Sequence, residues 1–382
     1  MAYKYYLNEP YLQGNEKRYL HEVIDKGWLS ADGEFTKKFE KTFADFIGVK
    51  HCLSVQSGTA ALHTALLALG VGPGDKVVIP NYTCSGCATS VIQTGAEPVI
   101  IDVDRETFGL DAERFQEAIN EYGNKIKIVM PVHVYGFVPR DFKKIIELTK
   151  KNNIKILEDA SEAHGAVFEG RKLGSFGDIS AFSIRSEKMI GVGEGGIVLT
   201  NDSELYNKAY FYAARACDFN TQKNEWWERY YYKGVGMNYR MPHLLGAIAL
   251  AQIEKFEEKM LNMKRNVGQK YVELLKDNDR IILQKKIEDS EPVYWLNAVI
   301  LKNKTKEEVR EIGKKLISEG IEIRPGFWPL ADMEYLRRYS FGSQDNGYYL
   351  FEHMIILPSS INLFKNDFEG VREIVQKLKE LI

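Results

Sequence analysis

Short apolar runs alternate with helix-length segments of mixed polarity through the first half of the chain. The runs lie at residues 76–80, 98–102, 126–132 and 155–158. Strands that helices cover on both faces are apolar along their length and are joined by helical crossovers. The pattern therefore predicts an α/β domain with a largely parallel sheet between about residues 50 and 200. Functional loops are expected where the strands of such a sheet end.

An apolar helix is predicted at residues 60–69, directly after Ser57-Gly58-Thr59. Gly70 and the turn cluster at residues 72–75 mark its end. The next strand follows that turn at once, which is the expected order in an α/β domain.

The second half of the chain carries different patterns. Residues 204–232 are rich in aromatic side chains but polar between them, which favours a packed interface over a simple core helix. Apolar residues then recur at helical spacing from about 244 to 270, and this helix is predicted to lead into a second, smaller α+β domain. The predicted domains are residues 1–254, which include an N-terminal segment, and residues 255–382. The elements predicted in the smaller domain are a strand at 293–301, a charged helix at 305–319 and a strand at 321–324.

Composition and charge exclude several classes of protein. The chain has 382 residues, of which 45% are hydrophobic and 27% charged, and its formal net charge is -2. This balance offers no basic surface to nucleic acid, and no stretch approaches the roughly 18 consecutive apolar residues of a membrane helix. The start of the chain lacks a secretory pattern, and four cysteines do not make a disulfide framework in so long a chain. We expect a protein of the reducing cytoplasm without nucleic acid or membrane partners.

Lys188 lies between an apolar strand and the glycine-rich loop 191–196. A lysine in such a position is suited to form a Schiff base with an aldehyde cofactor. Asp159 ends another apolar run, and its carboxylate would keep the ring nitrogen of pyridoxal phosphate protonated, so that the ring accepts electrons. Each residue alone has an ordinary alternative, a solvated loop lysine and a strand-end acid. Together they predict a pyridoxal phosphate enzyme.

A phosphate site is predicted at Ser57-Gly58-Thr59, because these residues supply backbone amides, hydroxyls and the positive end of a helix. An N-cap is the alternative role of the same residues. Ser183, on the strand before Lys188, is expected to reach the same phosphate, a hydroxyl bonded to the backbone being its alternative.

Cys84 and Cys87 form a Cys-x-x-Cys pair at the predicted start of a helix, a position that lowers the pKa of a thiol. Cys52 and Cys217 are isolated in the sequence, so no second half of a tetrahedral zinc site exists. Packing of small side chains is the expected role, and no metal site is assigned.

Taken together, several motifs resemble the DegT/DnrJ/StrS family of pyridoxal-phosphate-dependent sugar aminotransferases, from Tyr11 to the C-terminus. The resemblance implies fold type I, the aspartate aminotransferase fold, with a large cofactor-binding domain and a smaller C-terminal domain. The matching stretches are residues 27–30 (GWLS), 57–63 (SGTAALH), 72–75 (GPGD), 131–136 (PVHVYG), 158–165 (EDASEAHG), 177–180 (GDIS), 193–196 (GEGG) and 238–241 (NYRM).

The resemblance implies roles for individual residues. Lys188 would be the Schiff-base lysine, Asp159 the partner of the pyridine nitrogen, and Glu162 the residue beside the ring hydroxyl. Family members are dimers with shared active sites, so a homodimer is implied, with the aromatic stretch 206–232 as a candidate interface. The implied phosphate cradle consists of Ser57, Gly58, Thr59 and Ser183, with Asn238 supplied by the second subunit.

Other matching positions bear on the substrate. Many relatives carry glutamine at the position of Glu162. A glutamate at this position resembles the perosamine synthases, which aminate C4 of a GDP-linked 4-keto-6-deoxy sugar. Residues 323–325 also resemble that subgroup. Arg324 would bind a phosphate or the carboxylate of the amino donor, with a surface ion pair as its alternative. Trp28, within the motif 27–30, is assigned to the substrate side of the site.

Three positions depart from the family pattern. Cys84 stands where relatives place an aromatic ring that stacks on the cofactor, which leaves the stacking group open. Arg185 replaces a histidine or an aromatic residue, and if it points into the site it favours an anionic substrate. Ala331 stands where relatives commonly carry histidine. These departures make a small phosphorylated ketose an alternative acceptor.

The leading hypothesis is an aminotransferase that moves an amino group from L-glutamate to a keto sugar, with Lys188 as general base and acid. The acceptor is expected to be a nucleotide-linked 4-keto-6-deoxy sugar for amino sugar and surface polysaccharide synthesis. Besides the phosphorylated ketose, the alternatives are a sugar dehydratase, in which histidine replaces the lysine that this chain retains, and a non-catalytic regulator that binds pyridoxal phosphate. The identity of the acceptor, the carbon aminated and the pathway stay open.

Overall fold

The computed structural model describes residues 3–31, 33–216 and 231–382. Residues 217–230, which belong to the aromatic stretch that was predicted as an interface, therefore lie outside the described residues. Among the helices that are described, none combines the length and the apolar character needed to cross a membrane.

A seven-stranded sheet lies at the centre of the larger part of the molecule. In spatial order its strands are β1 (His51–Val55), β9 (Gly196–Thr200), β8 (Ile179–Ser183), β5 (Lys155–Asp159), β4 (Ile126–Val129), β2 (Lys76–Pro80) and β3 (Glu97–Ile101). Strand β9 is antiparallel to both of its neighbours, whereas the remaining neighbours run parallel. The predicted α/β architecture with a mostly parallel sheet is confirmed.

Helices cover both faces of this sheet, which explains why its strands are apolar along their length. Successive side chains of β2 point to opposite faces: Val77 and Ile79 join one apolar cluster, and Val78 joins another. The helices of this part are α1 (Glu16–Lys26), α2 (Glu34–Ile47), α3 (Gly58–Ala68), α4 (Gly86–Gln93), α5 (Ala112–Tyr122), α6 (Phe142–Asn152), α7 (Ser203–Ala213) and α8 (His243–Lys255).

The C-terminal part forms a smaller α+β unit around an antiparallel sheet. In spatial order its strands are β10 (Ile281–Leu283), β12 (Asn297–Leu301), β14 (Met354–Leu357) and β13 (Arg324–Pro325). Its helices are α9 (Leu261–Leu275), α10 (Lys306–Ser318), α11 (Asp345–His353) and α12 (Glu369–Leu381). A third sheet joins the two parts, because β11 (Ser290–Glu291) pairs with β6 (Val167–Phe168), which pairs in turn with β7 (Arg171–Lys172).

The single helix predicted at 244–270 is two helices. One wider helical turn, Phe256–Met260, separates α8 from α9. The domain boundary predicted before residue 255 stays a prediction. The N-terminal segment lies against the smaller unit, since the amides of Lys4 and Tyr5 donate to the carbonyl of Gly320.

Lys264 on α9 is fully buried, and its amine donates to Asn8 Oδ1, 3.2 Å away, and to the Ser359 carbonyl. Burial lowers the pKa of Lys264 from 10.5 to about 7. Between these two values the unfolded chain binds the proton that the folded chain does not, so this group makes stability rise with pH.

We therefore expect the wild type to gain about 2 kcal/mol of unfolding free energy relative to Lys264→Met between pH 7 and pH 9. Denaturant unfolding of both proteins at the two pH values measures this change. A difference between the proteins that does not change with pH would contradict the lowered pKa.

Candidate active site

The ends of two parallel strands and the start of a helix meet at one edge of the central sheet. Asp159 is the last residue of β5 and pairs with Ala181 on β8, which ends at Ser183. Gly58, the first residue of α3, lies so close to β8 that a Cβ added to it would be 2.8 Å from the Cβ of Ser183. Ser57 caps α3, its Oγ accepting from the amide of Ala60 at 3.1 Å. The structure thus brings together the predicted ring and phosphate residues.

Lys188 follows β8 in a tight turn, with its amide donating to the carbonyl of Arg185 at 2.8 Å. Its Nζ lies 3.1 Å from Glu162 Oε1 and 3.5 Å from the centre of the Trp295 ring. The side chain of Lys188 is 13% exposed and that of Glu162 is 6% exposed. The amine is therefore held between a carboxylate and an aromatic face, and is not a solvated loop lysine.

Glu162 is held in turn by the backbone of Tyr135, whose amide donates to Glu162 Oε2 at 2.8 Å. Burial raises the pKa of Glu162 above its ordinary value, while the charge of Lys188 and the Tyr135 amide act in the opposite direction. Tyr135 has a φ of 56°, a left-handed conformation that a residue other than glycine adopts only when its surroundings impose it. This backbone geometry directs the amide to the carboxylate.

Asp159 is 5% exposed, and both of its carboxylate oxygens accept hydrogen bonds. Oδ1 accepts from the amide of Ser161 at 3.0 Å, and Oδ2 accepts from the thiol of Cys87 at 3.2 Å. Burial, together with the neighbouring charge of Asp159, raises the pKa of Cys87 well above its ordinary value. The expectation of a lowered thiol pKa is therefore wrong for Cys87, whose position inside the protein outweighs its place near a helix start.

Cys84 is exposed, whereas Cys87 and Cys52 are buried. We expect iodoacetamide at pH 8 to alkylate Cys84 in the folded protein and to leave Cys87 and Cys52 unmodified until denaturant is added, because only the accessible thiolate reacts. Mass spectrometry of the tryptic peptides measures each site. Alkylation of Cys87 at the rate of Cys84 in the folded protein would contradict the buried, protonated thiol.

Arg185 and Arg324 lie on either side of Glu187, the residue before Lys188. Glu187 Oε2 is 2.7 Å from Arg324 Nη1, and Glu187 Oε1 is 3.6 Å from Arg185 Nη2. Glu194 lies 3.4 Å from Arg185, and Glu322 lies 3.9 Å from Arg324. Carboxylates thus pair with both guanidinium groups, which matches the ion-pair alternative for Arg324, and the assignment of Arg185 and Arg324 to the substrate stays a prediction.

Two other predicted site residues are exposed. Trp28 is 57% exposed, and its indole N–H donates to the carbonyl of Ala31 at 3.2 Å. Asn238 is also exposed and pairs through its backbone with Ala214. Within the described part of the chain, no contact joins either side chain to Lys188, so their assigned roles stay predictions.

The residues present fit pyridoxal phosphate. A largely buried amine is available for the aldehyde, and a buried carboxylate lies at the end of the neighbouring strand for the ring nitrogen. Beside the predicted phosphate cradle, Gly196 cannot be replaced by a larger residue, because a Cβ at this position would lie 2.1 Å from the Ser57 carbonyl oxygen. The first turn of α3 directs its amides to this edge, where a phosphate would be favoured. Among the described residues, no cluster of three or more His, Cys, Asp and Glu side chains suits a metal ion.

Sequence reasoning missed Trp295, Cys87 and Asn8 as parts of this site. Cys87 carried a signal in its spacing from Cys84, but nothing in the sequence joined it to Asp159. Asn8 Nδ2 donates to the Glu187 carbonyl at 2.5 Å, and Trp295 Nε1 donates to the same oxygen at 2.7 Å. No local pattern could have identified these long-range contacts.

Comparison with known proteins gives consistent matches over most of the chain. The model of the DegT/DnrJ/EryC1/StrS aminotransferase family matches residues 10–377. A GDP-perosamine synthase of Caulobacter vibrioides is 39% identical over 324 residues, which are 85% of this chain and 84% of that protein. A GDP-perosamine synthase of Escherichia coli O157:H7 is 34% identical over 377 residues, covering 94% of this chain and 98% of the relative.

The same similarity extends to solved structures. The crystal structure of the aminotransferase TlmJ from Streptoalloteichus hindustanus superposes with a TM-score of 0.88 at 25% identity. The match covers 99% of this chain and 98% of that one. The two chains therefore share a fold from end to end.

Proposed function

The chain belongs to the DegT/DnrJ/EryC1/StrS aminotransferase family, and we propose that it moves an amino group from L-glutamate to a GDP-linked 4-keto-6-deoxy sugar. The enzyme is a pyridoxal-phosphate-dependent aminotransferase. The observation that carries the proposal is the amine of Lys188, held 3.1 Å from Glu162 beside the strand end that bears Asp159. The choice of a GDP-linked sugar is supported by the two GDP-perosamine synthases, at 39% and 34% identity.

The roles of the residues follow from their positions. Pyridoxal phosphate, when bound, supplies an aldehyde for an amine and a ring that withdraws electrons from the substrate carbon. Asp159 would hold the proton of the ring nitrogen, and Glu162 would accept from the ring hydroxyl. Lys188 would act as general base at the carbon that bears the amino group and then as general acid at the former aldehyde carbon of the cofactor, on the other side of the nitrogen. The phosphate would lie among Ser57, Gly58, Thr59 and Ser183.

A homodimer with shared sites is part of the proposal. Asn238 is exposed, and the adjacent Tyr239 is fixed beside α3. The Tyr239 hydroxyl lies 3.1 Å from His63 Nδ1, and the Tyr239 carbonyl accepts from the Gln56 amide at 2.7 Å. Such anchoring would present Asn238 to the phosphate site of a second copy.

The proposal is tested in two half-reactions. With L-glutamate alone, the cofactor-loaded enzyme should release one equivalent of 2-oxoglutarate per site, and the visible absorption spectrum of the bound cofactor should change. A GDP-linked 4-keto-6-deoxy sugar should then restore the starting spectrum. The dTDP- and UDP-linked 4-keto sugars and a phosphorylated ketose serve as competing acceptors. Release of 2-oxoglutarate without turnover of any nucleotide-linked sugar would refute the assigned acceptor, and absence of release would refute the donor.

A further inference from the structure

Trp295 makes three contacts with the surroundings of Lys188 although it lies far along the chain, in the segment that leads into β12. Its ring centre is 3.5 Å from Lys188 Nζ, and its indole N–H donates to the carbonyl of Glu187 at 2.7 Å. Its own amide donates to the carbonyl of Tyr135 at 2.9 Å. Trp295 is only 5% exposed, so these contacts are shielded from water.

The ring provides an electrostatic site for the amine. The face of an indole carries negative potential and attracts an ammonium group, most strongly when both are removed from solvent. A lysine side chain otherwise samples many rotamers, and restricting it costs conformational entropy. The ring and Glu162 contact the amine of Lys188 together, so its Nζ has a defined position.

The backbone next to Lys188 is also held. The carbonyl of Glu187 precedes the Lys188 amide and accepts from Asn8 Nδ2 at 2.5 Å as well as from Trp295. Asn8 is itself oriented by Lys264, whose Nζ is 3.2 Å from Asn8 Oδ1. One side chain, Trp295, thus contacts both the tip of Lys188 and the peptide group from which it projects.

We propose that Trp295 is a positioning residue for Lys188, its ring face holding the amine and its indole N–H fixing the preceding peptide group. The inference rests on the proposed role of Lys188 in proton transfer. Because Trp295 leads into a strand of the smaller sheet, it also ties the position of the reacting amine to that unit.

The test compares Trp295→Leu, which loses the ring and the donor, with Trp295→Phe, which keeps an aromatic face but loses the donor. Trp328→Leu is the matched control, since Trp328 is 47% exposed, packs on Phe351 and donates to Asp332. The first measurement uses apoenzyme: trace acetic anhydride at a fixed pH, with acetylation of Lys188 counted by mass spectrometry against exposed lysines. The second is kcat and KM of the loaded enzyme.

Trp295→Leu should raise the acetylation of Lys188 about threefold or more, because the amine loses its aromatic partner. It should lower kcat about tenfold while the KM for L-glutamate stays within about twofold, since the substrate contacts are unchanged. Trp295→Phe should show wild-type acetylation and a kcat about threefold to fivefold below wild type. Trp328→Leu should behave as wild type in both measurements.

Wild-type acetylation together with wild-type kcat in Trp295→Leu would overturn the inference. If that variant does not fold, Trp295→Phe decides, and a wild-type kcat in it would overturn the role of the indole N–H. The apoenzyme measurement is independent of the substrate. If the wild type turns over no sugar but Trp295→Leu still alters the acetylation of Lys188, the proposed function is refuted and the contact between Trp295 and Lys188 is supported.

Discussion

Replacement of Lys188 by alanine is expected to lower kcat/KM for transamination by about 10⁴-fold or more, because one amine serves both as the covalent anchor of the cofactor and as the proton carrier. The structure supports this expectation, since the Lys188 amine lies 3.1 Å from Glu162 in a largely enclosed position. Release of 2-oxoglutarate measures the loss. Borohydride reduction followed by mass spectrometry should find the cofactor on the Lys188 peptide of wild type and not of the variant.

The matched control is Lys155→Ala. Lys155 begins β5, at the opposite end of the strand from Asp159, and its exposed amine pairs with Asp178 at 2.7 Å. Its removal should leave kcat/KM within about twofold, as expected for a surface ion pair. A Lys188→Ala enzyme that keeps more than about 1% of wild-type activity would be incompatible with the proposed role.

Asp159→Asn is expected to have the second largest effect, a fall in kcat of about 10²- to 10⁴-fold. The amide preserves the shape of the side chain and an oxygen that can accept from the amide of Ser161 or the thiol of Cys87, but it carries no charge to hold the ring nitrogen protonated. The loss should therefore appear in the proton-transfer step. Single-turnover release of 2-oxoglutarate, with bound cofactor quantified, measures it.

Asp178→Asn provides the comparison, because Asp178 accepts from the amide of Ile156 and pairs with Lys155 away from the site. That variant should lose stability and keep its kcat. If Asp159→Asn binds a full equivalent of cofactor and keeps kcat within about tenfold of wild type, the ring-nitrogen role of Asp159 is wrong.

Strand positions followed closely from local patterns. The run predicted at 76–80 is β2 (Lys76–Pro80), and the run at 155–158 is β5 (Lys155–Asp159). These strands are buried on both faces, so an unbroken apolar run had few other places in a soluble fold. The helix predicted at 60–69 runs from Gly58 to Ala68, because Ser57 caps it earlier than the apolar pattern begins.

Local sequence patterns could not predict other features of the structure. Helical periodicity continues from 244 to 270, yet the wider turn at Phe256–Met260 interrupts it, and Phe256 and Met260 are both buried there. Periodicity records which face of a helix is apolar and not where packing against other elements changes its pitch. Likewise, the ion pairs that Arg185 and Arg324 form with Glu187 depend on the fold and could not be predicted from the sequence.

The chemical groups of the candidate site could be identified from the sequence, because a lysine, a strand-end acid and a glycine-rich helix start each occur within a short recognisable pattern. The same patterns determined the α/β class, since apolar periodicity is a local property. Tertiary structure alone decided what surrounds those groups. Cys87 meets Asp159 across 72 positions, and Trp295 meets the Glu187 carbonyl across 108. Such contacts depend on how strands and helices pack, and no local sequence pattern records that packing.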